Sequence, residues 1–250
     1  MTDIVPELQD AIENTFRANL KNSKRIAELQ EALEIGTANF GAADQYALEV
    51  GQALADAFHK HVSSGTLPDG KMYYNIAERV IPTSCRASHS EIADYAVAMV
   101  RGMNERAGLG IAPQSPKLNT DRIKGLVERA CSADQYDDIC KSFESDLVNY
   151  SQSVATDTLI ENAEFQWSAG LSPVIHRTAS ANCCEWCADL AGDYPYEEVR
   201  ETGSDVYRRH RDCNCEITFD PGSGRVQNVH TKRWSPKKID IGIGVKVMNP

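Results

Sequence analysis

Cys183-Cys184-Glu185-Trp186-Cys187 and His210-Arg211-Asp212-Cys213-Asn214-Cys215 are the two stretches that organise this chain. The first contains a Cys-x-x-Cys hook and the second a His-x-x-Cys-x-Cys hook, with 22 residues between Cys187 and His210. Two residues between ligands let a tight turn aim both side chains at one ion. Zinc takes four such donors, and a closed Cys/His set marks a structural site rather than a catalytic one. Five candidates compete for the four places: Cys184, Cys187, His210, Cys213 and Cys215. Cys184, Cys187, His210 and Cys213 make two matched hooks, while Cys215 can replace Cys213 or His210. Cys183 adjoins a ligand and is out of phase with the turn. The competing reading is a group of reduced or redox-active cysteines without metal.

Working outward, the N-terminus Met1-Thr2-Asp3-Ile4-Val5-Pro6-Glu7 has neither the basic start nor the apolar stretch of a secretory signal. The expectation is a chain that stays in a reducing cytosol, where clustered Cys and His read as a metal site rather than as disulfides. Cys85, Cys131 and Cys140 stand apart and read as small buried hydrophobes. No apolar run approaches the roughly 18 residues of a membrane span.

Two hundred and fifty residues suffice for one sizeable core and a small satellite. The formal charge of −10 argues against non-specific DNA binding by the whole surface. Residues 200–238 are different, with nine Lys/Arg against five Asp/Glu. Arg208, Arg209 and Arg211 are the densest point of this basic tip. They read either as a solvated rim or as a contact for nucleic acid or an acidic partner.

From residue 7 to about 169 the apolar residues recur at helical spacing. Leu8, Ile12, Phe16 and Leu20 line a first helix; Ile26, Leu29 and Leu33 line a second, with Gly36 as a stop. Tyr46, Val50, Leu54 and Phe58 mark a third. A shorter helix over Tyr73 to Val80 is expected to close at Pro82. Ser88-His89-Ser90-Glu91 reads as a capping box that opens the next, with Ile92, Ala96, Met99 and Met103 inward. A linker near 108–120 precedes a short helix at 123–127 and a long one from Tyr136 to Trp167, with Gly170 beyond it. After Cys215 the pattern changes. Glu216-Ile217-Thr218-Phe219 is a short strand candidate. Ile239 to Val247 alternates with period two and reads as a terminal strand with one apolar face. The expected fold is therefore mainly α: a multi-helix body over 1–175, then a small zinc-clamped α+β module over 176–250 with a C-terminal β-strand.

The run from Cys184 to Gly192, followed by Arg209 to Cys215, resembles the phage Mu F-like minor head proteins. These head-morphogenesis proteins of tailed phages and prophages carry a similar Cys-x-x-Cys, Gly, His-x-x-Cys-x-Cys signature after a helical region. Two positions depart from the usual pattern: Arg211 stands where many members have Pro, and Asn214 where many have Arg. Only 35 residues follow Cys215, too few for the toxin domain that some relatives append. The resemblance implies a non-enzymatic minor capsid protein, with no catalytic residue and structural Zn2+. It also implies low copy number in the virion, assembly in the bacterial host cytoplasm, and contact with the portal or major capsid protein. Weak contact with packaged DNA fits the same picture. Two alternatives come from the residues alone. One is a nucleic-acid-binding adaptor using the basic tip. The other is a metal-dependent nuclease built from His210 or His230 with Asp212, Asp220 or Asn228.

Overall fold

A computed structural model describes residues 3–201, 204–210, 213, 215–220, 225–227 and 234–236. Six helices form the body: α1 (Val5–Asn22), α2 (Lys24–Glu34), α3 (Phe40–His61), α4 (Tyr74–Ala107), α5 (Thr120–Ala130) and α6 (Cys140–Ser168). Side chains set several of the boundaries. Ser23 caps α2 by accepting from the Ile26 N–H, and Asn39 caps α3 by accepting from the Ala42 N–H. Gly108 ends α4 in the left-handed conformation, φ 61°, which costs glycine nothing. The segment 109–119, neither helix nor strand, then crosses to α5. There the Asn162 side chain both accepts from the Gln114 N–H and donates to the Gln114 carbonyl, tying the crossing to α6.

The central pair is α3 on α6. Gly51 makes their close approach possible, since a Cβ there would meet Ser151 Cβ at 2.8 Å and Val148 Cα at 3.0 Å. Phe58 packs edge-on against Phe143 at 5.4 Å, and Tyr46 stacks on Tyr95 at 4.1 Å. α6 is enclosed on several sides, so it buries Ser151, Gln152, Thr156, Thr158 and Asn162 as well as its apolar residues. Local bonds satisfy several of these polar groups: the Thr158 hydroxyl donates to the Val154 carbonyl and the Asn162 amide to the Thr158 carbonyl.

Two helix boundaries differ from the sequence expectation. Pro82 does not end a helix, and residues 88–91 do not begin one; both lie inside α4. Proline withholds one backbone N–H, at a cost of about 3 kcal/mol in a helix interior. Here Val80, Ile81 and Cys85 on either side are all buried in the core, so packing outweighs that loss. The Thr83 and Ser84 hydroxyls also donate to the Arg79 and Val80 carbonyls. Ser88 is buried and shares a hydrogen bond with the Ser151 hydroxyl across the α4–α6 contact, instead of capping. Cys85 is buried as expected, whereas Cys131 and Cys140 are only half-buried at the margin of the core.

A three-stranded antiparallel sheet follows, in the order β2-β1-β3, from β1 (Val174–Thr178), β2 (Gly192–Pro195) and β3 (Glu216–Asp220). Between β1 and β2 lies the five-residue helix α7 (Glu185–Asp189), and α8 (Tyr196–Val199) follows β2. The fold is mainly helical with a small sheet, as expected. The 216–219 strand is present, and β1 adds a strand the periodicity had not indicated. A further hairpin pairs β4 (Arg225–Gln227) with β5 (Trp234–Pro236). The terminal strand expected over 239–247 lies outside the described residues.

The anticipated boundary at 175/176 falls within β1, and the apolar core runs across it. Ile175, Tyr196, Val206, Ile217 and Phe219 belong to the same buried cluster as the helices. Phe219 meets Phe40 edge-on at 4.9 Å. From the other side, the Tyr196 hydroxyl and the Arg200 guanidinium both donate to the Glu164 carboxylate, while Arg200 lies 3.9 Å over the Trp167 ring. The sheet is seated on α3 and α6 and positions what lies at its far end.

Candidate metal centre

The two hooks converge. Cys184 is the N-cap of α7 and Cys187 lies one turn further on, so a single helical turn points both thiols to one side. His210 lies in the segment after a short 3-10 turn at Asp205–Tyr207, and Cys213 and Cys215 precede β3. The Cys184 Sγ to His210 Nε2 distance is 3.4 Å, and Cys187 Sγ lies 3.7 Å from Cys213 Sγ. Two donor groups result: Cys184, Cys187 and His210, then Cys187, Cys213 and Cys215. Within each, the ligand atoms all lie within 4.8 Å of one another. All five predicted donors are therefore gathered, and Cys187 is shared.

Two of the separations have the lengths that edges of a tetrahedral zinc site would have. Zinc–sulfur bonds of about 2.3 Å and zinc–nitrogen bonds of about 2.0–2.1 Å place two sulfurs about 3.8 Å apart, and a sulfur and a nitrogen about 3.6 Å apart. Both measured separations match those edges. The Cys187–Cys213 separation is far beyond a disulfide bond of about 2.05 Å. A cleft of about 180 Å³ lined by Ser180, Asn182, Cys183, Cys184, His210 and Cys215 leads to the donors from solvent.

Burial differs across the set. Cys187, Cys213 and Cys215 are buried, while Cys184 is exposed. Burial pushes the Cys187 thiol up to about 12, against a hydrogen bond from Arg177 that favours the thiolate. Burial pushes Cys215 upward too. A backbone bond from Ser180, the neighbouring Cys187 and Cys213 thiols and the Arg177 charge outweigh it and hold Cys215 below its ordinary value. A cation bound here would replace these protons.

Three residues at the site went unnoticed in the sequence. Arg177 is buried in β1 and donates to the Val206 carbonyl (2.6 Å), the Arg208 carbonyl (2.9 Å) and Cys187 Sγ (3.5 Å). Its inward strand phase, alternating with His176, was the available signal. Asp44, on α3, is buried and accepts from Arg209 at 2.7 Å. A carboxylate in a helix gives no sequence cue that it meets a residue 165 positions away. Ser180, at the head of the hook loop, is the third.

The basic tip is divided. Arg208 is exposed and pairs with Asp205 at 2.8 Å. Arg209 turns inward: its side chain is 5 % exposed, and it donates to the Cys215 carbonyl as well as to Asp44. An Arg208–Arg209–Arg211 contact surface thus loses Arg209 to the interior. Arg211 lies outside the described residues, as do His230, Asp212 and Asn228 of the nuclease alternative. His210 sits against Cys184, in ligand position. Trp186 meets the His210 ring edge-on at 6.1 Å.

A family model described as VG15 protein matches residues 42–236, which span α3 through β5 and include every donor. The chain belongs to the VG15 family. This is a family of viral and phage gene proteins. No curated protein and no solved structure matches this VG15 chain. Among the described residues of the VG15 chain, no helix is long and apolar enough to cross a membrane.

Proposed function

We propose that this VG15-family chain is a structural minor capsid or head-morphogenesis protein of a tailed phage or prophage. It is present in few copies per head and contacts the portal or the major capsid protein. Zinc serves structure, held by four of Cys184, Cys187, His210, Cys213 and Cys215, and the chain is not an enzyme. The observation that carries this reading is the convergence of five soft donors at the end of a sheet seated on a helical body, in a phage protein family. The similarity of both hooks to the Mu F-like signature supports the head assignment. Each group of three donors lies within reach of one ion and Cys187 joins the two groups, and a donor set made of Cys and His alone is the kind that holds structural zinc.

The test is made on particles. Quantitative mass spectrometry of purified virions from the phage that encodes the chain is expected to find a few copies per head beside the portal. Particles that hold portal and major capsid protein without this chain would refute a virion role. Metal analysis of the purified protein separately tests the zinc reading, with one zinc per chain expected and none in a Cys184→Ala/Cys187→Ala variant.

A further inference from the structure

Arg177 touches the first hook and the segment that leads into the second. It occupies the inward phase of β1 opposite Ile217, with 2 % of its surface exposed. One guanidinium nitrogen bonds the Val206 and Arg208 carbonyls, on the segment that delivers His210. The other lies on Cys187 Sγ. Its Cζ lies 5.5 Å from the centre of the Trp186 ring, the same ring that meets His210. From these contacts we infer that Arg177 is the positioning residue of the metal centre. It locks Cys187, the donor common to both groups, against the His210 loop, and donates an N–H···S hydrogen bond to the metal-bound thiolate. This inference rests on the metal reading above.

Charge explains why a cation belongs there. Three thiolates and one imidazole around a divalent ion leave one net negative charge, and four thiolates would leave two. A buried charge is tolerated when it is paired and hydrogen-bonded. The guanidinium supplies that positive charge at the shared sulfur, and its fixed fork reaches two carbonyls in the same plane. Lysine carries the charge but has no planar fork, so it cannot hold sulfur and both carbonyls together. Partners of this kind orient metal ligands, and losing one typically costs about 10- to 100-fold in metal affinity.

The test uses the full chain loaded with cobalt(II), comparing wild type with Arg177→Lys. The variant is expected to keep its helical circular dichroism and bind one cobalt. Its thiolate-to-cobalt charge-transfer band should move to longer wavelength, because a sulfur without its hydrogen bond gives up an electron more readily. Zinc competition against a chelator should show an affinity about 10- to 100-fold lower. A folded Arg177→Lys protein with the wild-type band and affinity overturns the inference. A second measurement needs no variant. In wild type loaded with ¹¹³Cd, the Arg177 guanidinium protons should show scalar coupling to cadmium through Cys187 Sγ. Slowly exchanging Arg177 protons without that coupling overturn it equally. Failure of wild type to bind cobalt or cadmium would instead remove the metal reading itself.

Discussion

At the residue scale, Cys187 separates the donors by importance. It is the member common to both groups and is buried, whereas Cys183 lines the cleft without belonging to either. Cys187→Ser is therefore expected to abolish stoichiometric zinc in the purified protein, while Cys183→Ser retains it. Equal metal content in the two variants, measured by plasma mass spectrometry, would refute the assignment. Asp44 makes a separate prediction. Burial raises its carboxyl from 3.8 to about 6, helped by the Glu216 charge and opposed by Arg209 and a bond from Gln152. Because the folded value exceeds the unfolded one, the folded chain holds a proton that the unfolded chain has released. Asp44's contribution to stability is full below the ordinary value of 3.8 and is lost as pH rises through about 6. In chemical denaturation, wild-type stability minus that of Asp44→Asn should decline across this window, and a flat difference would contradict the burial argument. The five candidate donors were legible because Cys-x-x-Cys and His-x-x-Cys-x-Cys spacings are local patterns. Asp44 and Arg177 were not, since their partners are brought to them by the fold.

At the element scale, α3, α4 and α6 carry the body through contacts that local pattern cannot foresee. Gly51→Ala inserts a methyl against the α6 backbone, where Val148 Cα cannot yield as a side-chain tip would. The helix-propensity gain of about 1 kcal/mol opposes this, but overpacking of roughly 1–3 kcal/mol is expected to prevail. The thermal midpoint should fall, and an unchanged midpoint would show that α3 and α6 can part freely. Pro82→Ala tests the opposite sign. It restores an N–H inside α4 and should stabilise the protein by up to about 3 kcal/mol in calorimetry. A loss of stability there would mean that the ring's packing outweighs the missing hydrogen bond. Apolar spacing located all six body helices, and it cut α4 in two at Pro82 because proline and Ser-x-x-Glu are strong local stop and start signals. Burial of Val80, Ile81, Cys85 and Ser88 overrode both signals.

At the scale of the whole molecule, the continuous core couples the candidate metal centre to the helices. Phe219 on Phe40, Tyr196 and Arg200 on Glu164, and Arg209 on Asp44 all cross from the sheet and the segments around it to the body. Arg209 is the neighbour of His210 and also holds the Cys215 carbonyl. Metal removal is thus expected to lower the midpoint of one shared unfolding transition. Helical circular dichroism and tryptophan fluorescence should report the same midpoint with and without chelator. A chelator-sensitive transition confined to fluorescence, with helicity unchanged, would instead assign the sheet its own core. The helical class and the clustering of Cys and His donors could be read from the chain in isolation, because periodicity and ligand spacing are local properties. Whether the Cys/His region stands apart from the body could not be read in this way. That depends on which apolar faces meet and on where Arg177, Asp44 and Arg209 find opposite charge, and these pairings join residues far apart in sequence.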